Sequence, residues 1–367
     1  MQEFVIRHPH NEASALIQMH NRRLLDALGW REGFWIVCDE KPVHKALAAL
    51  GRPAVALART ENVGEPDWEV RPMKCIRGKH SSTKDTDDSE ACAQAGAWIY
   101  VFGSQFGSKD GPLDPERHFV ARFNASLVRQ KKKRLRTRID VARKPFLLHR
   151  IINDALRRAE LRLLNRGDEE IRRYIAATRD HGIKKNKRWA KRIRPDDRPV
   201  NIEGATFVPT GRLLLGLRYP VTEDGNPIVV EIDGIDRIFQ KKRKAGWPDV
   251  TRVWVLSNVG KPDAPQGIRE LDQFGDTIHA VTGDLDSQED RSSVLADHPD
   301  GVEAASQHFT FTIPRDDRMS IEANHVRSFR NEANVEGIAV ALDGSVWYAH
   351  DDDCIRLQHS DGKQNPD

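Results

Sequence analysis

The plainest pattern of apolar and polar positions lies in residues 200–233, VNIEGATFVPTGRLLLGLRYPVTEDGNPIVVEID. Apolar runs at 205–208, 213–217 and 228–232 are separated by Pro209-Thr210-Gly211 and by Asp224-Gly225-Asn226. Short apolar runs bounded by turn formers predict three antiparallel strands joined by hairpins. Similar runs recur at 33–40, 43–50, 97–103, 118–123, 253–256, 277–282, 308–313, 338–341 and 345–349. Several follow a similar start: DWEV at 67–70, NIEG at 201–204, GIRE at 267–270, GVEA at 301–304 and NVEG at 334–337.

Small antiparallel sheets that each leave an apolar face uncovered stack against one another, and a ring of them is a β-propeller. The expected fold is therefore all-β, a single β-propeller of six or seven blades with an α-helical insertion. The strand after each start would line the central axis. The strand at 3–7 would complete the last blade by pairing with 354–358. A β-sandwich with a separate helical domain is the competing architecture.

One stretch breaks the period-two pattern. Leu147, Leu148, Ile151, Ile152, Ala155 and Leu156 fall at helical spacing, and Ile171, Tyr174 and Ile175 do so after a stop at Gly167 and a cap at Asp168. The domain plan that follows is propeller blades over 1–128, a basic helical insertion over 129–198, the remaining blades over 199–360, and a polar tail over 361–367.

Charge sharpens this plan. The 367-residue chain carries a net +3, yet residues 129–194 hold 24 Lys and Arg against 7 Asp and Glu. That surplus of 17 leaves −14 for the rest, so a basic segment sits in an acidic body. Cys38, Cys75, Cys92 and Cys354 are scattered with no Cys-x-x-Cys, which predicts reduced thiols and argues against a zinc site. The absence of a long apolar run excludes a spanning helix, and the N-terminal residues lack a signal-like apolar core. A cytoplasmic location is the expectation.

The recurring starts place carboxylates at matching points. Glu69, Glu203, Glu303 and Glu336 share one position and Glu270 lies beside it, so a propeller would gather them at one channel mouth. Crowded carboxylates need a cation, arginine partners or a raised pKa. Ca²⁺ is the candidate metal, because it accepts many oxygens in irregular geometry. Arg122, Arg218 and Arg269 would line the same channel. They would either clamp an anionic ligand or pair with those glutamates. Asp351-Asp352-Asp353, 85–88 and His8-Pro9-His10 lack metal-loop spacing and read as solvated turns. No Gly-x-Ser-x-Gly, His-Glu-x-x-His or Walker-type loop occurs.

The second candidate set is basic. Lys131, Lys132, Lys133 and Arg134 form one run. Lys184, Lys185, Lys187, Arg188, Lys191 and Arg192 form another, with Trp189 inside it. Such runs bind phosphate backbones by counterion release, and an aromatic ring adds stacking on a base. The alternative is that this charge docks on the acidic body or stays solvated.

The phrases Asn201-Ile202-Glu203-Gly204, Leu214-Leu215-Gly216-Leu217-Arg218-Tyr219-Pro220-Val221 and Gly267-Ile268-Arg269-Glu270-Leu271, with Arg117-His118 and Ala121-Arg122-Phe123, resemble the bacterial family called domain of unknown function 3616. The resemblance runs from about residue 33 to 358. It implies a propeller and, as the family's name says, no assigned activity. The basic insertion and Glu303-Ala304 depart from the family pattern.

Two functions stand at this point. One is a binding scaffold whose basic insertion contacts nucleic acid or an acidic protein. The other is a cation-dependent, hydrolase-like propeller acting on a phosphorylated or ester substrate at the channel.

Overall fold

A computed structural model describes residues 2–6, 13–38, 41–54, 68–78, 81–82, 85–107, 111–164, 169–240, 246–285, 304–329, 335–350 and 355–360. After β1 (Gln2–Ile6), the first unit comprises β2 (Ala13–Gln18), β3 (Trp30–Cys38), β4 (Leu47–Pro53) and β5 (Glu69–Arg77), with α1 (Arg22–Leu28) inside it. The second comprises β6 (Ser89–Ala95), β7 (Trp98–Gly103), β8 (Phe119–Asn124) and a hairpin of β9 (Arg129–Lys131) with β10 (Arg134–Arg143). Helices α2 (Leu147–Arg158) and α3 (Glu169–Lys184) follow. The third unit is β11 (Asn201–Phe207), β12 (Leu213–Tyr219), β13 (Ile228–Asp233) and β14 (Asp249–Ser257). The fourth is β15 (Gly267–Phe274), β16 (Thr277–Gly283) and β17 (Gln307–Thr312), joined beyond β18 (Ser320–Glu322) by β19 (Asn324–Ser328). The last is β20 (Val335–Val340), β21 (Val346–His350) and β22 (Ile355–Ser360), completed by β1.

The β1–β22 pairing is antiparallel, with Phe4 opposite Leu357, and it closes the last unit with the chain's first strand as the sequence led us to expect. The first strands of the five units stand in a ring: β2 beside β6, then β11, β15, β20 and β2 again. Each gap between neighbouring units holds its own apolar core. Trp35, Phe119 and Leu135 fill the first gap, Phe102, Leu215 and Ile228 the second, and Trp254, Ile268 and Phe309 the third. Val281, Ile338 and Tyr348 fill the fourth, and Phe34, Trp347 and Leu357 the fifth. This propeller-like arrangement covers both faces of the third unit, which is why nearly every residue of β11, β12 and β13 is buried.

Glycine sets the spacing between the third and fourth units. Gly204 and Gly216 lie opposite each other. A Cβ on Gly204 would stand 2.6 Å from Ile268 Cγ2, and one on Gly216 would stand 2.3 Å from it. The two bare backbones form a slot for Ile268, whose burial contributes about 1.5–3 kcal/mol.

Five units occur among the described residues, where six or seven were expected. Of the start read at 67–70, Glu69 and Val70 lie in the outermost strand of the first unit, so no new unit begins there. Glu303 lies outside the described residues, and Ala304 belongs to no strand. The expectation of helix over the first part of the basic segment also gives way. Residues 134–143 are β10, which pairs with β8 and, in parallel, with β5. This parallel seam joins the first two units into one nine-stranded sheet.

The helices dock rather than project. Leu148, Ile152 and Leu156 of α2 share a core with Leu215, Val230 and Val253, and Ile171, Tyr174 and Ile175 of α3 pack with Tyr219 and Leu285. Asp197 pins the far end of the insertion, with both carboxylate oxygens 2.8 Å from Arg150 Nη1. Burial pushes its carboxyl up, but His149, the Arg194 N–H and Arg150 hold it below the usual range. No helix among the described residues is long and apolar enough to cross a membrane.

Candidate functional site

The ring strands all enter from one end of the channel, and each carries an irregularity near its start. Pairing with the second strand of the unit slips by one residue at Ser14, Glu90, Glu203, Arg269 and Glu336. A bulge turns the extra side chain out of the alternation. The bulged residues of three consecutive ring strands meet in one ion cluster.

Arg218 Nη1 donates to Glu203 Oε1 at 2.7 Å, and its Nη2 donates to Asp284 Oδ1 at 3.0 Å. Arg269 contacts Glu203 Oε2 at 3.2 Å and Asp284 Oδ1 at 3.1 Å, and pairs with Glu336. Asn201 Nδ2 also reaches Glu203 Oε1, at 3.2 Å. Three carboxylates thus share two guanidiniums, all largely withdrawn from water. Asp284 carries the strain of that excess. Burial raises its pKa, Arg269 and Arg218 oppose the rise, and Glu203 adds to it. Its Oδ2 is buried without a hydrogen-bond partner among the described residues.

A second group adjoins. Asp88, just before β6, accepts from Ser104 Oγ and, at 2.9 Å, from Arg117 Nη1. Burial raises its pKa, Arg117 and Ser104 lower it, and Asp87 and Glu203 raise it further. Asp88 and Gln105 both have positive φ, at 61° and 67°. Non-glycine residues held there mark a backbone fixed by its surroundings.

Glu270 fills the waist of the channel. It is 1% exposed, and its Oε1 accepts from Leu271 N at 3.0 Å and Ala205 N at 3.4 Å. Burial drives its pKa well up against the pull of the Leu271, Ala205 and Leu16 N–H groups. Leu16 belongs to β2 on the opposite side of the ring, so this one side chain bridges the channel.

Of the eight channel candidates read from sequence, Glu203, Glu336, Arg218 and Arg269 come together, with Glu270 below them. Glu69 does not join them. It sits on β5, where its Oε2 accepts from Trp30 Nε1 at 3.3 Å and Arg71 Nη2 at 2.5 Å. Arg122 points away as well, paired with Asp236 at 2.5 Å and lying over Trp98 and Phe239. Asp284, Arg117 and Glu90 were missed, and Asp88, expected in a solvated turn over 85–88, is instead largely buried against Ser104 and Arg117. The signal for Glu90 was present: Ser-Glu-Ala-Cys at 89–92 resembles the Asn-x-Glu-Gly starts, but with small residues instead of a long apolar run. Asp284 had no signal, since it lies outside the recurring starts and meets Arg269 across the β15–β16 hairpin and Arg218 from the neighbouring unit.

Two guanidiniums serve all three carboxylates of the cluster. Each carboxylate has a guanidinium at contact distance, and no group of three or more His, Cys, Asp or Glu suited to a metal occurs among the described residues. The arrangement suits a fixed polar clamp between units better than a Ca²⁺ cage.

The basic residues divide into two places. Lys131, Lys132, Lys133 and Arg134 are exposed at the β9–β10 turn, and Lys184, Lys185, Lys187, Arg188 and Lys191 are exposed after α3. Trp189 packs 4.6 Å from the Phe146 ring and against Gly182, so it serves the core of the insertion. Arg192 donates to Pro145 O at 2.5 Å. Beside the turn lies a groove of about 790 Å³ lined by Ile76, Trp98, Leu127, Arg129, Lys131, Arg136 and Arg138, among others. Among the described residues none of Lys131, Lys132, Lys133, Arg134, Arg136 or Arg138 forms an ion pair.

No family model matches the chain, so its resemblance to domain of unknown function 3616 stands on the motifs alone. No curated protein matches it either. Among solved structures it is similar to a putative oxidoreductase (glucose dehydrogenase) from Thermus theromophilus, at 11% identity and a TM-score of 0.40, over 98% of this chain and 99% of that one. It is also similar to an exo-1,5-alpha-L-arabinanase from a bovine ruminal metagenomic library, at 10% identity and 0.38, over 95% and 92%. A third is the Neurospora crassa Pan2 WD40 domain, at 9% identity and 0.33, over 97% and 92%. The propeller-like architecture rests on the sheet pairing itself.

Proposed function

We propose that this chain is a five-bladed, cytoplasmic propeller scaffold that holds single-stranded nucleic acid on its basic flank. The observation that carries this is the groove along β10. Leu135, Thr137 and Ile139 point into the core, so Arg134, Arg136 and Arg138 face outward together. Lys74 and Ile76 of the parallel neighbour β5 stand beside Arg136 and Arg138. Cationic side chains at strand spacing track a phosphate backbone, while Trp98, Ile76 (43% exposed) and Leu127 (60% exposed) offer apolar surface to bases. An acidic peptide would match the charge but would leave that apolar floor without a purpose. The hydrolase alternative finds no comparable support, because the mouth cluster is internally paired.

The test is anisotropy of a labelled single-stranded oligonucleotide over a salt series, with a duplex for comparison. Wild type should bind the single strand with a log–log salt slope of about −3 to −4, since each neutralised phosphate contributes about −0.7. Replacing Lys131, Lys133 and Arg134 with Glu, all exposed, should abolish binding without shifting the melting temperature. Absence of binding at low salt, or a charge-reversed variant that binds like wild type, overturns the proposal.

A further inference from the structure

The far end of the channel holds a cavity that no candidate set above includes. It measures about 220 Å³ and is lined from all five ring strands: Gln18 of β2, Cys92 and Gln94 of β6, Thr206 of β11, Asp272 of β15 and Val340 of β20. Glu270 stands two residues before Asp272 on β15. Three of the cavity's polar side chains, Gln18, Gln94 and Asp272, offer acceptor oxygens. Gln18 is 9% exposed, and its Oε1 has no hydrogen-bond partner among the described residues. Gln94 Nε2 donates to Gly96 O at 2.8 Å, which orients the amide and leaves its buried Oε1 without a partner among the described residues. Asp272 is held by two backbone donors, Gln273 N at 2.9 Å on Oδ1 and Val340 N at 2.7 Å on Oδ2. Each of those oxygens keeps a lone pair to offer. Buried acceptors left unmet are costly, so such a site favours a ligand that brings donors.

We infer that this mouth binds a small primary ammonium compound, with Asp272 as counter-ion and the Gln18 and Gln94 carboxamide oxygens taking its remaining N–H groups. An ammonium carries three donors and no acceptor, which matches three acceptor groups converging from three strands. Ile17, Phe207, Phe274 and Leu342 also line the cavity, and the last two are exposed. They form an apolar collar for an alkyl stem. A metal ion fits less well, since the same collar would stay wet and Asp272 is the single carboxylate among the lining residues.

The groups around Asp272 set the pH dependence. Burial pushes its carboxyl up to about 7, against the pull of the Val340 and Gln273 N–H groups. Cys92 faces it from β6 with a thiol pushed well up by burial, then by Glu270 and Asp272, so it stays uncharged. Glu270, on the same strand, is also pushed up by burial. His20 lines the cavity beyond β2, and burial lowers its pKa, which keeps it neutral at pH 7. The carboxylate form of Asp272 is the one that pairs with an ammonium. Affinity should therefore weaken about tenfold per pH unit below 7 and level off above it.

The experiment is calorimetric titration of the full chain with n-butylammonium, n-butanol and tetramethylammonium at pH 8 and pH 6. The expected result is binding of n-butylammonium at pH 8 that weakens at pH 6, with the neutral and donor-free probes at least about tenfold weaker. Asp272→Asn should remove the preference and its pH dependence. Gln94→Leu, which leaves the charge alone, should weaken n-butylammonium about tenfold, and it decides the matter if D272N fails to fold. Equal binding of all three probes, no binding of n-butylammonium at pH 8, or an unchanged Gln94→Leu variant would each overturn the inference.

Discussion

Arg269→Met tests whether the ion cluster holds the ring together. The Arg269 side chain is 2% exposed and contacts Glu203, Asp284 and Glu336, which come from β11, the end of β16 and β20. Methionine keeps most of the apolar stem and removes the charge. Glu203 and Asp284 would retain Arg218, but Glu336 would lose its single ion-pair partner among the described residues. Leaving buried carboxylates facing one another without a cation costs about 3–5 kcal/mol. For a chain of 367 residues that corresponds to a melting temperature lower by about 4–6 °C. Urea denaturation followed by tryptophan fluorescence at pH 7 and pH 5 is the assay. The penalty should shrink as the pH falls, because burial already pushes the Asp284 carboxyl up and the variant removes Arg269, which opposes that rise. Glu336→Gln in the same background should recover on the order of 1–2 kcal/mol, the size of coupling usual for contacting charges. A loss below about 1 kcal/mol at pH 7, or no recovery in the double variant, would refute the reasoning and free these residues for a ligand-binding role.

Two further outcomes follow from packing and from buried histidines. Gly216→Ala should cost at least about 1–3 kcal/mol, because its new Cβ meets Ile268 Cγ2 at 2.3 Å, and Gly216→Ala combined with Ile268→Ala, which removes that methyl, should cost less than the sum of the two alone; chemical denaturation reads all three. His279 Nδ1 and His308 Nε2 lie 3.0 Å apart, and His308 Nδ1 lies 2.9 Å from the Tyr348 hydroxyl. Burial lowers His279 to about 4 and lowers His308 well below its ordinary value. Their stability contribution is therefore full above pH 6.5 and is lost as pH falls toward 4. For His279 that is about 3 kcal/mol, so His279→Asn should flatten the acid limb of a stability-versus-pH curve by that amount; an unchanged limb would contradict it.

What the sequence determined by itself was the all-β character, the hairpins of residues 200–233 and the closure of the last unit by the first strand. Apolar runs as dense as Leu213–Tyr219 fit only a strand covered on both faces, and the positive φ of Gly211 and Gly225 sits where the turns were read. The amphipathic spacing of Leu147–Arg158 likewise fixed a helix, because one buried stripe has one period. Two ring strands escaped notice. Ala13–Gln18 and Ser89–Ala95 are built largely from small and polar residues, since a narrow channel leaves little room for large ones. The strand in the basic segment was legible, with Leu135, Thr137 and Ile139 alternating against arginines, but the density of charge hid the period. Only the tertiary structure decided which acids and arginines meet. A period of two says that neighbouring side chains face opposite ways; it does not say which strand of a sheet is innermost, so Glu69 and Arg122 fell outside the channel. Each bulge also shifts the alternation by one residue, and it is this slip that brings Glu203, Arg269 and Glu336 into a single cluster.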